Sequence, residues 1–276
     1  MRAPVAPVRL SSVDLFEVHE KDDLLVTEEP LEIRLGHGPE HDRREVRLSV
    51  TMRTPGHDEE LAMGFLFTEG IIAERSELLR VEQCTNVKED ERGNVVRAEL
   101  RPDIDIDPVK WQRNFYTTSS CGVCGKSSIE AVRVQRSRAI LPFGTLDRTV
   151  ITALPDRMRE AQVLFKHTGG IHAAALFDRR GKLLLLREDI GRHNAVDKLI
   201  GAALDDGLSF EGNMLLVSGR AGFELVQKCV VVGIPLMAAV GAPSSIAVQL
   251  ARESGLTLIG FLRGDHFNCY SVSGSI

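Results

Sequence analysis

Aromatic residues are scarce, with one Trp, two Tyr and eleven Phe in 276 residues. A stacking platform for single-stranded nucleic acid therefore has little to draw on. There is no basic excess either. Lys and Arg total 34 against 39 Asp and Glu, a formal net charge of −5. That balance argues against broad capture of a polyanion and leaves room for a local basic pocket; no nucleic-acid partner is expected. Long apolar runs are missing too. The longest, Cys229 to Pro243, is broken by Gly233 and Pro235 and falls short of the roughly 20 residues needed to span a bilayer. The start, Met1-Arg2-Ala3-Pro4-Val5-Ala6-Pro7, has prolines where a secretory leader would carry its apolar core. The expectation is a cytoplasmic protein with no membrane partner.

Cysteine is sparse and odd in number: Cys84, Cys121, Cys124, Cys229 and Cys269. Without a leader this is a poor disulfide framework. Cys229, in Lys228-Cys229-Val230-Val231-Val232, reads as a small buried hydrophobe. Cys84 lies in a strand-like run and is assigned no chemistry, and Cys269 is left unassigned. Cys121 and Cys124 alone form a spaced pair.

What is present is ordinary globular composition, 43% hydrophobic and 26% charged. The chain divides into a flexible tail over 1–20, an N-terminal α+β part over 21–115, and an α/β domain over 116–276 that carries the cysteine pair. Alternating and β-branched residues predict strands over Asp23 to Leu35 and Arg44 to Arg53. Pro55-Gly56-His57-Asp58-Glu59-Glu60 opens a helix, with acidic residues where the dipole favours them. Leu79 to Lys88 and Val95 to Arg101 read as a hairpin. Leu154 to Lys166 is a further helix. From Ile171 the rhythm is clearer. Strands are predicted over Ile171 to Phe177, Lys182 to Arg187, Met214 to Val217, Leu236 to Val240 and Leu256 to Leu262. Helices are predicted over Gly191 to Leu204, Gly222 to Val232 and Ser244 to Glu253. This alternation predicts helices on both faces of a mostly parallel sheet, made mixed by the early hairpin.

Such sheets bind ligands beyond the carboxyl ends of their strands. That rule picks out the loops at Arg187–Asn194, Ser218–Gly222, Gly241–Ser245 and Arg263–His266. Each taken alone could be an ordinary turn; together they predict a pocket, with Arg, Gly and Ser placed to meet an anion.

The pair sits in Tyr116-Thr117-Thr118-Ser119-Ser120-Cys121-Gly122-Val123-Cys124-Gly125-Lys126-Ser127-Ser128, a loop by composition. A CxxC spacing serves half a zinc site, a redox disulfide, or a thiol that carries sulfur as a persulfide. His57-Asp58-Glu59 matches the H-x-E half of the zinc deaminase signature, but Ser120 stands where that signature has proline. A zinc-dependent hydrolase of deaminase type is therefore the alternative reading. Two inert cysteines in a glycine-rich loop are the bland one.

Ser119-Ser120-Cys121-Gly122-Val123-Cys124-Gly125-Lys126 resembles the signature of the formate dehydrogenase accessory sulfurtransferase family (FdhD). So do Asp58 to Gly70, His167-Thr168-Gly169-Gly170-Ile171-His172, Glu188 to Lys198, Ser218-Gly219-Arg220 and Gly260-Phe261-Leu262-Arg263, in the same order along residues 23 to 270. The resemblance implies a cytidine-deaminase-like three-layer sandwich with a mixed sheet, no catalytic zinc, and a homodimer. It implies a sulfurtransferase that takes sulfur from a cysteine desulfurase and passes it to the molybdenum bis-molybdopterin guanine dinucleotide cofactor, its substrate, before that cofactor enters formate dehydrogenase. Cys121 would bear the persulfide, with Cys124 as helper. Phe261, Leu262, Arg263, Gly264, Asp265 and His266 align with the family's cofactor-binding stretch, and GDP or GTP would mimic the ligand. Arg192, Arg220 and Arg263 fall on the expected pocket loops, where guanidinium groups suit phosphate. Ser218 and Gly219 join them. Asp265 could accept from a guanine N–H edge. His193 could donate to a ligand or cap its helix, and His172 is read as a packed strand residue.

Overall fold

The computed structural model describes residues 3–104, 106 and 139–275. Cys121, Cys124, the loop around them and the 115/116 boundary lie outside the described residues.

Strands β1 (Val5–Val13) and β2 (Val18–Val26) pair antiparallel. The expected tail over 1–20 is thus replaced by a hairpin. Its turn is set by Asp14, whose Oδ1 accepts from the N–H groups of Phe16 (2.8 Å) and Glu17 (2.9 Å). The hairpin escapes a hydrophobic pattern search because it is mostly exposed on both faces.

β3 (Glu29–His37), β4 (Arg44–Arg53), β5 (Leu78–Gln83) and β6 (Val95–Leu100) form a four-stranded sheet in the order β4-β3-β6-β5. The run read as one strand from Asp23 is divided between β2 and β3. Helix α1 (Asp58–Thr68) follows β4, and its first turn is held by Asp58, which accepts from Arg53 Nε (2.8 Å) and Nη2 (3.0 Å).

β7 (Gly144–Thr145) leads into α2 (Arg148–Ala161) and α3 (Val163–Thr168). Asp147 caps α2, accepting from the N–H groups of Thr149 and Val150. The expected single helix over 154–166 is two helices, because the backbone leaves helical geometry at Gln162 (φ −70°, ψ 106°).

Then come β8 (His172–Phe177), β9 (Leu183–Asp189), α4 (Arg192–Asp205), β10 (Met214–Val217), α5 (Phe223–Val232), β11 (Leu236–Ala239), α6 (Ser245–Ser254), β12 (Thr257–Arg263), β13 (His266–Ser271) and β14 (Gly274–Ser275). The main sheet has six strands in the order β13-β12-β11-β10-β8-β9. β10, β11 and β12 run parallel, and the outer pairings are antiparallel. The sheet is mixed, as expected, with helices on both faces.

Strand alternation sends successive side chains to opposite faces. Ala174, Leu176, Leu215, Val217, Met237, Ala239 and Leu258 share a core with residues of α1, α4, α5 and α6. Ala173, Ala175, Phe177, Met214, Leu216, Leu236 and Ala238 pack instead with Ile151, Leu154 and Met158 of α2. The first core also takes in Leu35, Val46, Leu48 and Leu100 of the four-stranded sheet, so one apolar interior joins the N-terminal part to the main sheet. α1 and α4 cross at glycines: a Cβ on Gly64 would collide with the Asp197 carbonyl oxygen, and one on Gly201 with that of Glu60.

Candidate functional site

A cleft of about 520 Å³ opens at the carboxyl edge of β10, β11 and β12, where the strand-order rule predicts a ligand. One wall comes from the sheet: His172 at the start of β8, Ile190 after β9, Ser218 after β10, Val240 after β11, and Leu262 and Arg263 at the end of β12. The facing wall comes from Pro155, Met158 and Arg159 of α2, from Gln162 at the break, and from Phe165 of α3.

Each wall is tied down. Ser218 Oγ accepts from the Ala173 N–H (2.9 Å), and the Ser218 N–H donates to the Ala173 carbonyl (3.0 Å), which locks the β10 exit to β8. Arg263 Nε donates to the Val240 carbonyl (3.2 Å), aligning the guanidinium across the strand ends. Glu188 on β9 accepts from the N–H groups of Leu164 (2.8 Å) and Phe165 (2.9 Å), capping α3 from the sheet. The Arg159 guanidinium lies over the Phe165 ring, 4.0 Å from its centroid.

The block Glu188 to Lys198 mostly builds the scaffold behind the cleft. Asp189 is sealed from solvent and accepts from the N–H groups of Thr54 (3.1 Å) and Gly191 (2.8 Å) and from Asn194 Nδ2 (3.1 Å). Lys198 Nζ lies 2.7 Å from its Oδ2 and donates to the Thr54 carbonyl (2.8 Å). The preceding residue of α4, Asp197, accepts from Lys228 Nζ (2.8 and 2.9 Å) and from Thr68 Oγ1 (2.9 Å). Burial opposes the charge on Lys228, but the Asp197 and Glu69 carboxylates outweigh it and raise its pKa. These groups hold the loop at Ile190 and Arg192 in place.

The expected site residues divide accordingly. Ser218, Leu262 and Arg263 line the cleft. Gly219 packs on His172, whose ring atoms would lie 3.3 Å from a Cβ there. Arg192 opens α4 beside His172; burial first, then the Arg192 and His193 charges, push the His172 pKa down, so its imidazole is neutral at pH 7. His193 does not cap its helix: its Nε2 lies 2.6 Å from Glu224 Oε2. Exposed Arg220 packs against Gly241. Phe261 adopts left-handed φ (52°) at a bulge and donates its N–H to the Gly241 carbonyl (3.1 Å). Strained backbone of this kind concentrates at functional sites. The Arg263–His266 loop is not a strand-to-helix connection. Arg263 pairs with His266, and Gly264 and Asp265 form the exposed turn of the β12–β13 hairpin. β13 was missed because the loop reading ended the sheet at β12.

Sequence reasoning missed the α2–α3 wall; His172 is a packed strand residue, as expected, and also lines the cleft. The one available signal was Gln162, a polar residue inside an apolar helical pattern. The described cysteines are poor nucleophiles: burial raises the thiol pKa of Cys84, Cys229 and Cys269. Of the zinc reading's ligands, His57 lies among the described residues, and its Nδ1 is 3.1 Å from Glu60 Oε1. No group of three or more His, Cys, Asp and Glu among the described residues could hold a metal ion, and no described helix is long and apolar enough to cross a membrane.

Comparison with known proteins gives a consistent result. Residues 26–276 match the model of the FdhD/NarQ family. The chain is 51% identical over 259 residues to a sulfur carrier protein FdhD of Streptomyces avermitilis, covering 92% of this chain and 89% of that one. It is 51% identical over 277 residues to its namesake in Mycolicibacterium paratuberculosis, covering 97% of each. With that of Thermoplasma volcanium it shares 41% over 263 residues, 95% and 92% of the two chains. The crystal structure of a formate dehydrogenase accessory protein from Desulfotalea psychrophila has the same fold, with TM-score 0.74, 23% identity and 97% coverage of both chains.

Proposed function

The chain belongs to the FdhD/NarQ family, and from that premise we propose that it is a sulfur carrier serving formate dehydrogenase. Cys121 accepts sulfur from a cysteine desulfurase and passes it to the molybdenum bis-molybdopterin guanine dinucleotide, bound as substrate. The observation that carries this reading is the 51% identity over 97% of the chain to a protein named as a sulfur carrier, together with the pair Cys121 and Cys124.

Loading is thiol exchange. The Cys121 thiolate attacks the terminal sulfur of the desulfurase persulfide, the donor sulfur–sulfur bond breaks, and the donor cysteine leaves as thiolate. Cys124 assists release. Its thiolate attacks the inner sulfur of the Cys121 persulfide and expels sulfide, leaving a disulfide between the two.

The cleft supports the substrate half of the reading. Its volume suits a nucleotide-sized arm, and Arg263 and Arg159 line it while Arg192 stands beside it. Guanidinium forks bind phosphate by paired hydrogen bonds. His172, neutral at pH 7, adds a polar contact without charge. A cytoplasmic homodimer and a cytidine-deaminase-like layering belong to the same reading.

The test is intact-mass spectrometry of the purified protein after incubation with a cysteine desulfurase and cysteine. The expected product gains the mass of one sulfur, and Cys121→Ala gains none. Cys124→Ala loads but restores formate dehydrogenase activity poorly in cells. Undiminished loading of Cys121→Ala would overturn the assignment.

A further inference from the structure

The α2–α3 wall contains an incompletely bonded polar group. Gln162 is 1% exposed, and its side-chain Nε2 has no hydrogen-bond partner among the described residues. A buried N–H donor left unpaired costs free energy and calls for an explanation. Its backbone is anchored, since its own N–H donates to the Met158 carbonyl (3.1 Å) where α2 ends. It lines the cleft together with Arg159 and Phe165. Arg159 is stacked on Phe165, and a planar guanidinium held in this way is a surface on which a flat heteroaromatic ring can stack.

An amide donor beside a stacking surface, with Arg263 on the opposite wall, matches a nucleotide laid across the cleft. The ring stacks at Arg159, an acceptor on its edge meets Gln162, and the phosphates lie toward Arg263. We propose that Gln162 is the specificity-determining residue of this cleft, donating from Nε2 to a carbonyl oxygen on the edge of the bound ring. That selects guanine, whose O6 is an acceptor, against adenine, which carries an amino donor at the same position. The inference rests on the nucleotide-binding reading of the cleft proposed above.

Calorimetric titration of the full-length protein with GDP, IDP, ADP and the diphosphate of 2-aminopurine riboside tests it. IDP keeps the carbonyl oxygen, and 2-aminopurine lacks it. The expected result is that GDP and IDP bind at least tenfold more tightly than ADP and the 2-aminopurine nucleotide. Gln162→Leu should remove the preference for GDP over ADP, and Gln162→Glu should reverse it, since a carboxylate accepts from the adenine amino group and repels O6. A purely structural role would not move the ratio of GDP to ADP affinity.

Wild-type protein that binds all four ligands alike overturns the role of Gln162 and leaves the nucleotide cleft standing, as does an unchanged ratio in Gln162→Leu. Wild-type protein that binds none of them, while still loading sulfur on Cys121, overturns the cleft reading and this inference with it. Where Gln162→Leu fails to fold, the wild-type series still overturns the proposal if no preference appears, and Gln162→Glu, whose preference should reverse, carries the attribution.

Discussion

Lys198 Nζ lies 2.7 Å from Asp189 Oδ2, with the lysine 1% and the aspartate 0% exposed. The two charges are taken out of water behind the cleft and satisfied by each other and by the Thr54 backbone. Removing one member strands the other, which typically costs about 3–5 kcal/mol. Lys198→Ala and Asp189→Ala should each lose about that much in urea denaturation. The double variant Asp189→Asn, Lys198→Met should recover part of it, because neither uncompensated charge remains. A double variant no more stable than the worse single one would show that the pair is not the source.

The glycine crossing of α1 and α4 makes a sharper steric prediction. Gly64→Ala and Gly201→Ala each push a methyl group into a backbone carbonyl that has nowhere to move. Overpacking of this kind costs typically about 1–3 kcal/mol and sometimes more, so both variants should show a lowered Tm or fail to accumulate. Gly222→Ala, where a Cβ meets nothing within 4 Å, should stay within about 1 kcal/mol of the parent even though it caps α5. Normal thermal unfolding of Gly64→Ala would refute the close packing.

Glu60 predicts part of the acid limit of stability. Burial opposes its ionisation, but the Arg187 guanidinium, donating to both carboxylate oxygens, and His57 outweigh burial and hold its pKa at about 2. An unfolded glutamate titrates near ~4.3. The folded value is the lower one, so the contribution is fully present above about pH 4.3 and is lost as pH falls toward 2. Glu60→Gln should be less stable than the parent at pH 7 and should flatten the loss of stability between about pH 5 and 2. Parallel stability–pH curves for the two proteins would argue against the assignment.

Arg263 should matter for ligand rather than for fold. Its side chain is exposed and makes one backbone hydrogen bond, to Val240, so Arg263→Ala should leave Tm nearly unchanged. A hydrogen bond to a charged partner is worth about 1.5–3 kcal/mol, so GDP affinity should fall at least about tenfold. Unchanged affinity in calorimetry would remove Arg263 from the site.

Local pattern alone determined much of the chain. Arg44–Arg53 and Met214–Val217 are strands with the boundaries their alternation and apolar runs predict. The helix opened by Asp58-Glu59-Glu60 and the second-half alternation of strand and helix are also in place, because period and capping are properties of neighbouring residues. The carboxyl-edge pocket was legible for the same reason: the order of elements implies a parallel sheet, and the sheet implies the edge.

What only the tertiary structure decided depends on residues far apart in sequence. The β1–β2 hairpin is held by ladder bonds, which every residue but proline can donate. Glu188 to Lys198 looked like a binding motif, yet Asp189 and Asp197 turn inward to Lys198 and Lys228, a pairing that depends on where α4 meets β9 and α5. His172 is the strand residue its sequence predicts, and it also becomes part of the cleft, because β8 runs antiparallel to β10 and brings its first residue to the edge where β10 ends. Gln162 lines the cleft because the chain leaves helical geometry there, between α2 and α3. Sequence carries the periodicities that make elements. Which buried polar group meets which partner, and which finds none, is fixed only when those elements pack.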